Sequence, residues 1–432
     1  MCSLQKIFEN FNEIIKTGYD FNSNLKEKKD LLIEEINSKL QPKCNSPLQG
    51  SYSIHTGVKP VSGDYDIDVA LIFKEEDLDE KSSPYQLKQK VYDCFYRNNR
   101  TVEIKEPCVR VQYHEKSEEK YHVDFALYKE TKDKKYYLAR GKNSSESKWE
   151  ECEPYRLIEI LNDLNKNIGN IEQYRRCVRY LKRFKALNFE HENIPSIAIT
   201  VSAYNTFNSK KMPEEDVIAL QYVITDLINC VKNRRIILPT KPNSNLIEKL
   251  TLNQLDNLEK KLTCLESDLN CANQENVDIQ DACSRLAKYF GADFASAISQ
   301  ESSNNSNSSA SKEEFIENEY TISPNLKEIN ISLSYNNIVL DRLMHFLIPV
   351  GRKLMFKVQN TDDFNHCNYL WKVRNIGPKA RQLNDERGTI ESRHTKDEIY
   401  EHSSFSGHHY VECYAVKDDV CIGRGSIDVN IQ

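Results

Sequence analysis

No stretch of the 432 residues approaches the roughly 18 consecutive apolar positions that span a bilayer. The opening residues, Met1-Cys-Ser-Leu-Gln-Lys, lead into an amphipathic segment and not into the apolar core of a secretory leader. Cysteine is present but unpaired in pattern. There are 13, an odd number, and none forms a C-x-x-C. A secreted disulfide framework is short and cysteine-dense, and structural zinc uses clustered ligands, so neither is expected. Positive charge is not in excess either. The 59 Lys+Arg against 65 Asp+Glu leave a formal charge of −6, which argues against a dedicated duplex-DNA groove. What is present, 39% hydrophobic and 29% charged residues, suits a folded protein of two or three domains. The expectation is a cytoplasmic protein with reduced thiols and no membrane partner.

The chain changes character along its length. Leu4, Ile7, Phe8, Phe11, Ile14 and Ile15 recur at helical spacing, and Leu31, Leu32, Ile36 and Leu40 repeat the pattern. Residues 66–74 alternate on a two-residue period, with Ile67, Val69, Leu71 and Phe73 on one side. Strands are predicted at about 107–114, 121–128 and 136–139, with a short helix around Leu87–Phe95. From Pro154 to about Phe294 the spacing predicts helices, among them 214–232, 245–272 and 278–290. Residues 299–311 hold ten Ser or Asn in thirteen positions, a composition that cannot bury a core and reads as a linker. Beyond it, strand-like runs from Ile329 to Ile431 suggest a β-sandwich. The expected fold class is α/β, with residues 1–150 a mixed-sheet lobe, 151–298 a helical lobe, 299–318 a linker and 319–432 a β-rich domain. On this reading the chain up to Ser311 holds together without the β-rich domain.

One constellation carries chemistry. Gly50-Ser51 is followed by Asp66-x-Asp68, and Asp124 lies on a later strand. Residues i and i+2 of a strand project from one face, so Asp66 and Asp68 stand side by side. If the two strands pair, three carboxylates converge. They repel unless cations neutralise them, and hard divalent ions take carboxylate and phosphate oxygens together. Glycine allows close backbone approach to a phosphate, and the Ser51 hydroxyl can bind it. Thr56 and Lys59 lie between this turn and the acids. His408, His409, Cys413 and Cys421 lack metal-ligand spacing.

The segment from Leu48 to Ala70, with Gln49-Gly50-Ser51 in its turn and Asp66-Ile-Asp68 in its strand, resembles the signature of polymerase-β-like nucleotidyltransferases. More narrowly it is similar to the SMODS or CD-NTase family, bacterial relatives of cyclic GMP-AMP synthase and oligoadenylate synthase. Tyr121-His-Val-Asp124 resembles the strand of the third acid. Arg179-Tyr-Leu-Lys182-Arg-Phe-Lys185 resembles the helix with a donor-phosphate lysine. Ile194-Pro-Ser196 resembles a turn beside the nucleotide. Residues 371–380, 387–390 and 405–414 resemble the AGS-C domain, a presumed ligand sensor.

The resemblance implies an enzyme that joins ribonucleoside triphosphates, ATP or GTP among them, with two Mg²⁺ or Mn²⁺ ions on Asp66, Asp68 and Asp124. Gln49, Gly50, Ser51, Lys182, Lys185 and Ser196 would bind nucleotide. The product would be a cyclic di- or trinucleotide messenger in antiviral defence, read by a separate effector protein. A ligand sensed at the C-terminal domain is also implied. The alternatives are transfer of one nucleotide to a small molecule or RNA end, and a non-catalytic nucleotide-bound sensor.

Overall fold

The fold is that of a computed structural model. It describes residues 3–17, 23–61, 64–79, 83–97, 100–113, 120–164, 170–189, 194–274, 277–304, 314–335, 338–340, 347–383, 385–392 and 396–432. The chain divides into two compact units. One comprises residues 15–182 and 194–251; the other comprises 1–14, 183–193 and 252–432.

The first unit is built on a six-stranded mixed sheet: β1 (Asp64–Lys74), β2 (Arg100–Ile104), β3 (Val109–Tyr113), β4 (Lys120–Glu130), β5 (Tyr136–Arg140) and β6 (Lys148–Cys152). β4 is the organising strand. Along one edge it pairs in parallel with the whole of β1, and along the other it pairs antiparallel with β3 and then β5. The expected alternation holds: Ile67, Val69, Leu71 and Phe73 join Val123, Phe125 and Leu127 on one buried face. Two helices cover that face, after α1 (Leu4–Ile15): α2 (Ser23–Lys39) with Leu32 and Ile36, and, beyond the one-turn α3 (Gly50–Ser53), α4 (Pro84–Phe95) with Leu87, Val91 and Phe95. α4 starts where Ser83 and Gln86 cap each other's backbone N–H, with Pro84 in the first turn. The strands β2 and β6, each five residues long, are not predicted from the sequence. Helices α5 (Pro154–Asn162), α6 (Ile171–Asn188), α7 (Ser196–Ser209) and α8 (Asp216–Lys232) follow; the break between units falls within α6, after Lys182.

In the second unit α9 (Leu252–Ala272) and α10 (Ile279–Asn304) lie with two C-terminal sheets. α9 begins at Leu252 and not at 245, since residues 246–250 are turns. The strands are β7 (Thr321–Glu328), β8 (Ile331–Tyr335), β9 (Ile338–Leu340), β10 (Leu347–Ile348), β11 (Lys353–Val358), β12 (Asn368–Arg374), β13 (Arg387–Ser392), β14 (Glu398–His402), β15 (Gly407–Lys417) and β16 (Val420–Ile431), with a short α11 (Pro378–Gln382) after β12. One sheet runs β10-β16-β15-β12-β13 with β7 on β16; the other runs β14-β11-β8-β9. Leu333, Phe356 and Ile399 from one sheet and Trp371, Val411 and Val429 from the other share one core, the arrangement of a sandwich.

The unit boundaries depart from the composition boundary at 299–318. α10 continues through Ser299 to Asn304, and residues 305–313 lie outside the described residues. The physical reason is a set of polar ties between helices and strands. Lys288 of α10, almost wholly buried, sits 2.9 Å from Asp268 of α9 and 2.6 Å from Asp428 of β16. Arg424 donates to the Lys288 carbonyl, and Asn257 donates to Glu328. Within the C-terminal sheet that holds β12, β15 and β16, Glu412 meets Lys372 and Arg424, each at 2.7 Å, with both its oxygens out of solvent. Burial alone would raise that carboxyl; the two cations overcome it and hold it down at about 2. α1 packs its Phe8 and Phe11 against Phe290 and Phe294 at ring separations of 5.2–5.9 Å.

A chain ending at Ser311 is therefore expected to lose folded structure around α9 and α10, because Lys288 would be left without Asp428 of β16 and Asn257 without Glu328 of β7. It should bind a hydrophobic dye several-fold more strongly than the full chain and sediment as aggregate. A monodisperse truncated protein with unchanged helical circular dichroism would show instead that those helices stand without the strands.

Candidate active site

Parallel pairing of β1 with β4 sets Asp68 opposite Asp124 and Asp66 opposite His122. All four side chains share the face that the core does not use, because positions two apart on a strand point the same way. Neighbouring strands are about 4.8 Å apart, so the carboxylates are brought together by the backbone itself. On the same face Ala70, Ile72, Ala126 and Tyr128 form a small apolar cluster. The acids lie next to it along the strands, where Asp66 is exposed and Asp68 half-buried.

The crowding acts on Asp68. Burial first, then the charges of Asp66 and Asp124, raise its carboxyl from 3.8 to about 7; His122 and Lys182 pull the other way. Asp124 has a partner of its own. Arg110 of β3 stands directly across from it, and the guanidinium donates to both carboxylate oxygens at 2.7 Å.

The turn bearing Gly50 is held to β1 by backbone bonds. Asn45 and Ile72 exchange N–H donors, Ala70 donates to the Pro47 carbonyl, and Gln49 donates to the Asp68 carbonyl at 3.1 Å. The Tyr128 hydroxyl fixes the Gln49 side chain at 3.0 Å. Gly50 follows with φ +66°, a conformation that disfavours side chains. A Cβ there would stand 2.0 Å from Asp68 Oδ2. The close approach expected of this glycine is thus first of all to a carboxylate of the site. Ser51, half-buried, accepts the Thr56 N–H on its carbonyl as α3 closes.

α6 reaches the loop after that turn. Arg179 donates to the His55 carbonyl at 2.8 Å, and Lys182 donates to the carbonyl and hydroxyl of Thr56 at 2.9 and 3.0 Å. Thr56 is fully buried, so it serves as an anchor for Lys182 and not as an exposed loop residue. Lys182 remains close enough for its charge to act on Asp68. Of the residues expected at the site, Gln49, Gly50, Ser51, Asp66, Asp68, Asp124 and Lys182 are gathered in this one unit. Ser196 is the first residue of α7, where its carbonyl accepts from the Thr200 hydroxyl. Lys185, one turn beyond Lys182, belongs to the other compact unit.

Arg110 and His122 escape sequence reading, although Arg110 alternates with buried Val109 and Val111, and an arginine in that register marks an acid's cross-strand neighbour. Among the described residues no three His, Cys, Asp or Glu side chains are gathered tightly enough to cage a metal as they stand. The donor set still suits a hard cation: Mg²⁺ uses one or two carboxylates together with substrate phosphates, and the Asp68 carboxyl is raised first by burial and then by the negative charges of Asp66 and Asp124.

Comparison with known proteins places this site in context. Residues 45–128 match the family model described as cyclic GMP-AMP synthase DncV-like, nucleotidyltransferase domain. Residues 310–432 match the adenylyl/guanylyl and SMODS C-terminal sensor domain. A cyclic GMP-AMP synthase of Escherichia albertii is 26% identical over 436 residues, covering 94% of this chain and 89% of that protein. Among solved structures, the Bradyrhizobium diazoefficiens CD-NTase CdnG in complex with GTP superposes with a TM-score of 0.54 at 12% identity, over 70% of this chain and 98% of that one. Escherichia coli DncV in its 3′-deoxy GTP bound form gives 0.50 at 16% identity, over 68% and 88%. At these identities the structures speak for the fold. No helix among the described residues is long and apolar enough to cross a membrane.

Asp68 protonates near 3.8 when unfolded and near 7 in the fold. Between those values the native state holds the extra proton, so stability falls as pH rises across that window and stays low above it. Asp68→Asn removes the loss. In metal-free buffer its melting temperature should match the parent's near pH 4 and exceed it at pH 8, by about 2–4 °C for each kcal/mol relieved. Scanning calorimetry that finds no gain at pH 8 refutes the crowding.

Proposed function

We propose that this chain, a CD-NTase nucleotidyltransferase with an AGS-C domain, joins ribonucleoside triphosphates, ATP or GTP among them, into a cyclic di- or trinucleotide. The observation that carries the reading is the row of Asp68 and Asp124 across two paired strands, with Asp66 beside them and the Gly50 turn against Asp68. An acceptor ribose hydroxyl attacks the α-phosphorus of the donor. The new P–O bond forms as the bond to pyrophosphate breaks, and the hydroxyl proton passes to water, with Asp124 placed to help take it. Asp66, Asp68 and Asp124 would hold two divalent ions, Mg²⁺ or Mn²⁺, whose chemistry is to neutralise phosphate charge and ease loss of that proton.

The chain's own groups do the rest. Gln49, Gly50 and Ser51 line the donor phosphates, with the Ser51 hydroxyl as a ligand. Lys182 supplies a point charge to the triphosphate, and its present bonds to Thr56 keep the ammonium poised over the turn. Arg110 orients Asp124 through two hydrogen bonds. Ser196, at the start of α7, is a further contact for the nucleotide. The product acts as a messenger for a separate effector protein in antiviral defence.

Incubation with the four labelled nucleoside triphosphates and Mg²⁺ or Mn²⁺ should give a phosphatase-resistant product. Asp66→Ala combined with Asp68→Ala should abolish it while the circular dichroism spectrum is retained. A folded double variant with parental turnover would remove the acids from the chemistry. Lys182→Ala is expected to raise the apparent KM for nucleotide by about tenfold or more and to change kcat far less, the pattern of a lost binding contact. An unaltered KM would restrict Lys182 to its structural bonds with Thr56.

A further inference from the structure

Tyr128 stands on the acid face of β4, four residues beyond Asp124 and opposite Ile72 of β1. Four residues of extended strand cover about 13 Å, which sets Tyr128 apart from the reacting groups. Its ring packs with Ala70, Ile72 and Ala126 in the small apolar cluster of that face. A phenylalanine would pack there as well, and a buried hydroxyl without a partner is costly. The hydroxyl has one: it donates to Gln49 Oε1 at 3.0 Å, and Gln49 leads directly into the Gly50 turn.

Gln49 is held at two points. Its backbone N–H donates to the Asp68 carbonyl at 3.1 Å, and its side-chain oxygen takes the phenol. It occupies the N-cap position of α3, yet its side chain makes no capping bond there. An amide carries oxygen and nitrogen on opposite arms, so placing Oε1 on Tyr128 turns the NH2 group away from it. Burial pushes the Tyr128 phenol well above its usual range, so it stays a neutral donor and keeps that orientation. Among the described residues the Gln49 NH2 group makes no hydrogen bond, and Gln49 is only half-buried.

The charge around the turn makes this orientation consequential. Gly50 packs so closely on Asp68 that a Cβ would stand 2.0 Å from Oδ2, and Asp66 and Asp124 add negative charge on the same face. An amide oxygen turned toward that charge, or toward a phosphate, is repelled, whereas N–H donors form their stronger bonds with ionised acceptors. The far end of the turn is fixed independently. Asn162 donates to the Ser53 carbonyl at 3.0 Å and accepts from Arg175 at 3.0 Å. The Gln49 amide is thus the polar group of the turn whose direction is set by a single bond, the one from Tyr128.

We propose that Tyr128 is a positioning residue for the donor polyphosphate: it holds Gln49 with the amide oxygen inward, so that the NH2 group meets the phosphates as two hydrogen-bond donors beside the Gly50 turn. No bond forms or breaks at either side chain, and the effect is on binding. The inference rests on the reading of this face as a nucleotide site.

Calorimetry on the full-length protein, with Mg²⁺ and a non-hydrolysable analogue of ATP or GTP, reads binding apart from turnover. Gln49→Ala should raise the Kd about tenfold, the loss of hydrogen bonds to a charged group. Tyr128→Phe keeps the ring but frees the amide, and should raise the Kd about fivefold. The two substitutions together should bind within about twofold of Gln49→Ala alone, because Tyr128 acts through Gln49. Gln49→Glu still accepts from Tyr128 but turns a carboxylate oxygen on the phosphates, and should bind more weakly than Gln49→Ala. In turnover assays Tyr128→Phe should raise KM by the same factor and leave kcat within about twofold. Circular dichroism checks that each variant is folded; if Tyr128→Phe is not, Gln49→Glu against Gln49→Ala still decides which end of the amide meets the phosphates. An unchanged Kd in folded Tyr128→Phe, additive losses in the double variant, or Gln49→Glu binding no more weakly than Gln49→Ala overturns the proposal. Product formation keeps the two failures apart. A parent that makes product while its Kd ignores Tyr128→Phe overturns the positioning role alone, and a parent that binds in the expected pattern without making product overturns the reaction and upholds the positioning role.

Discussion

Repulsion among three carboxylates on one sheet face is the constraint around which the first unit is organised. The parallel register of β1 and β4 fixes it, because it leaves Asp68 and Asp124 no choice of neighbours. The surrounding residues read as responses. Arg110 takes the charge of Asp124 with two bonds, Lys182 and His122 draw down the Asp68 carboxyl, and Asp66 stays in water. None of these removes the excess, since Asp68 still has its carboxyl raised to about 7. Negative charge held in this way is of the kind that hard divalent cations offset. Its energetic bias is built into the backbone before any substrate arrives.

Much of this is legible in the residues. The two-residue alternation of 66–74 predicts both the core face and the acid face, and β1 realises both. The three acids and the Gly50 turn follow from local pattern, so sequence reading finds them. Arg110 does not follow from local pattern. Its role exists only once β3 is paired with β4 in a particular register. Thr56 is hidden for a related reason: a threonine in a polar loop looks exposed until a lysine from a helix more than a hundred residues later lands on it. The segment 45–49, which carries Gln49 into place, has no strand signature, yet it bonds along the edge of β1 as a strand does.

The second unit shows the same division between local and distant information. Tyr369, Trp371 and Val373 of β12 and Val411, Cys413 and Ala415 of β15, each set two residues apart, announce a sandwich core, and both sheets contribute to it. The Ser/Asn-rich stretch announces a boundary, but composition reports what a segment cannot bury and says nothing of what its flanks pack against. Lys288 and Asp268 look like the solvated faces of two polar helices. They are interior because β16, whose Asp428 completes the trio, returns from the far end of the chain. Charge on a helix is therefore a weak sign of a free surface when strands come after it.

The contact between Gly50 and Asp68 makes the two positions mutationally interdependent. The carboxylate occupies the space a methyl group at Gly50 would need, only 2.0 Å away. A side chain at position 50 thus meets a steric penalty that depends on what stands at position 68, over and above the strain of its positive φ. Shortening Asp68 lifts the first penalty while destroying the charge. A side chain at 50 therefore requires the Asp68 carboxylate to move, and the cost of a change at either position depends on the other. The turn and the acid are in this sense a single heritable unit, and epistasis between them is a steric property of the native state.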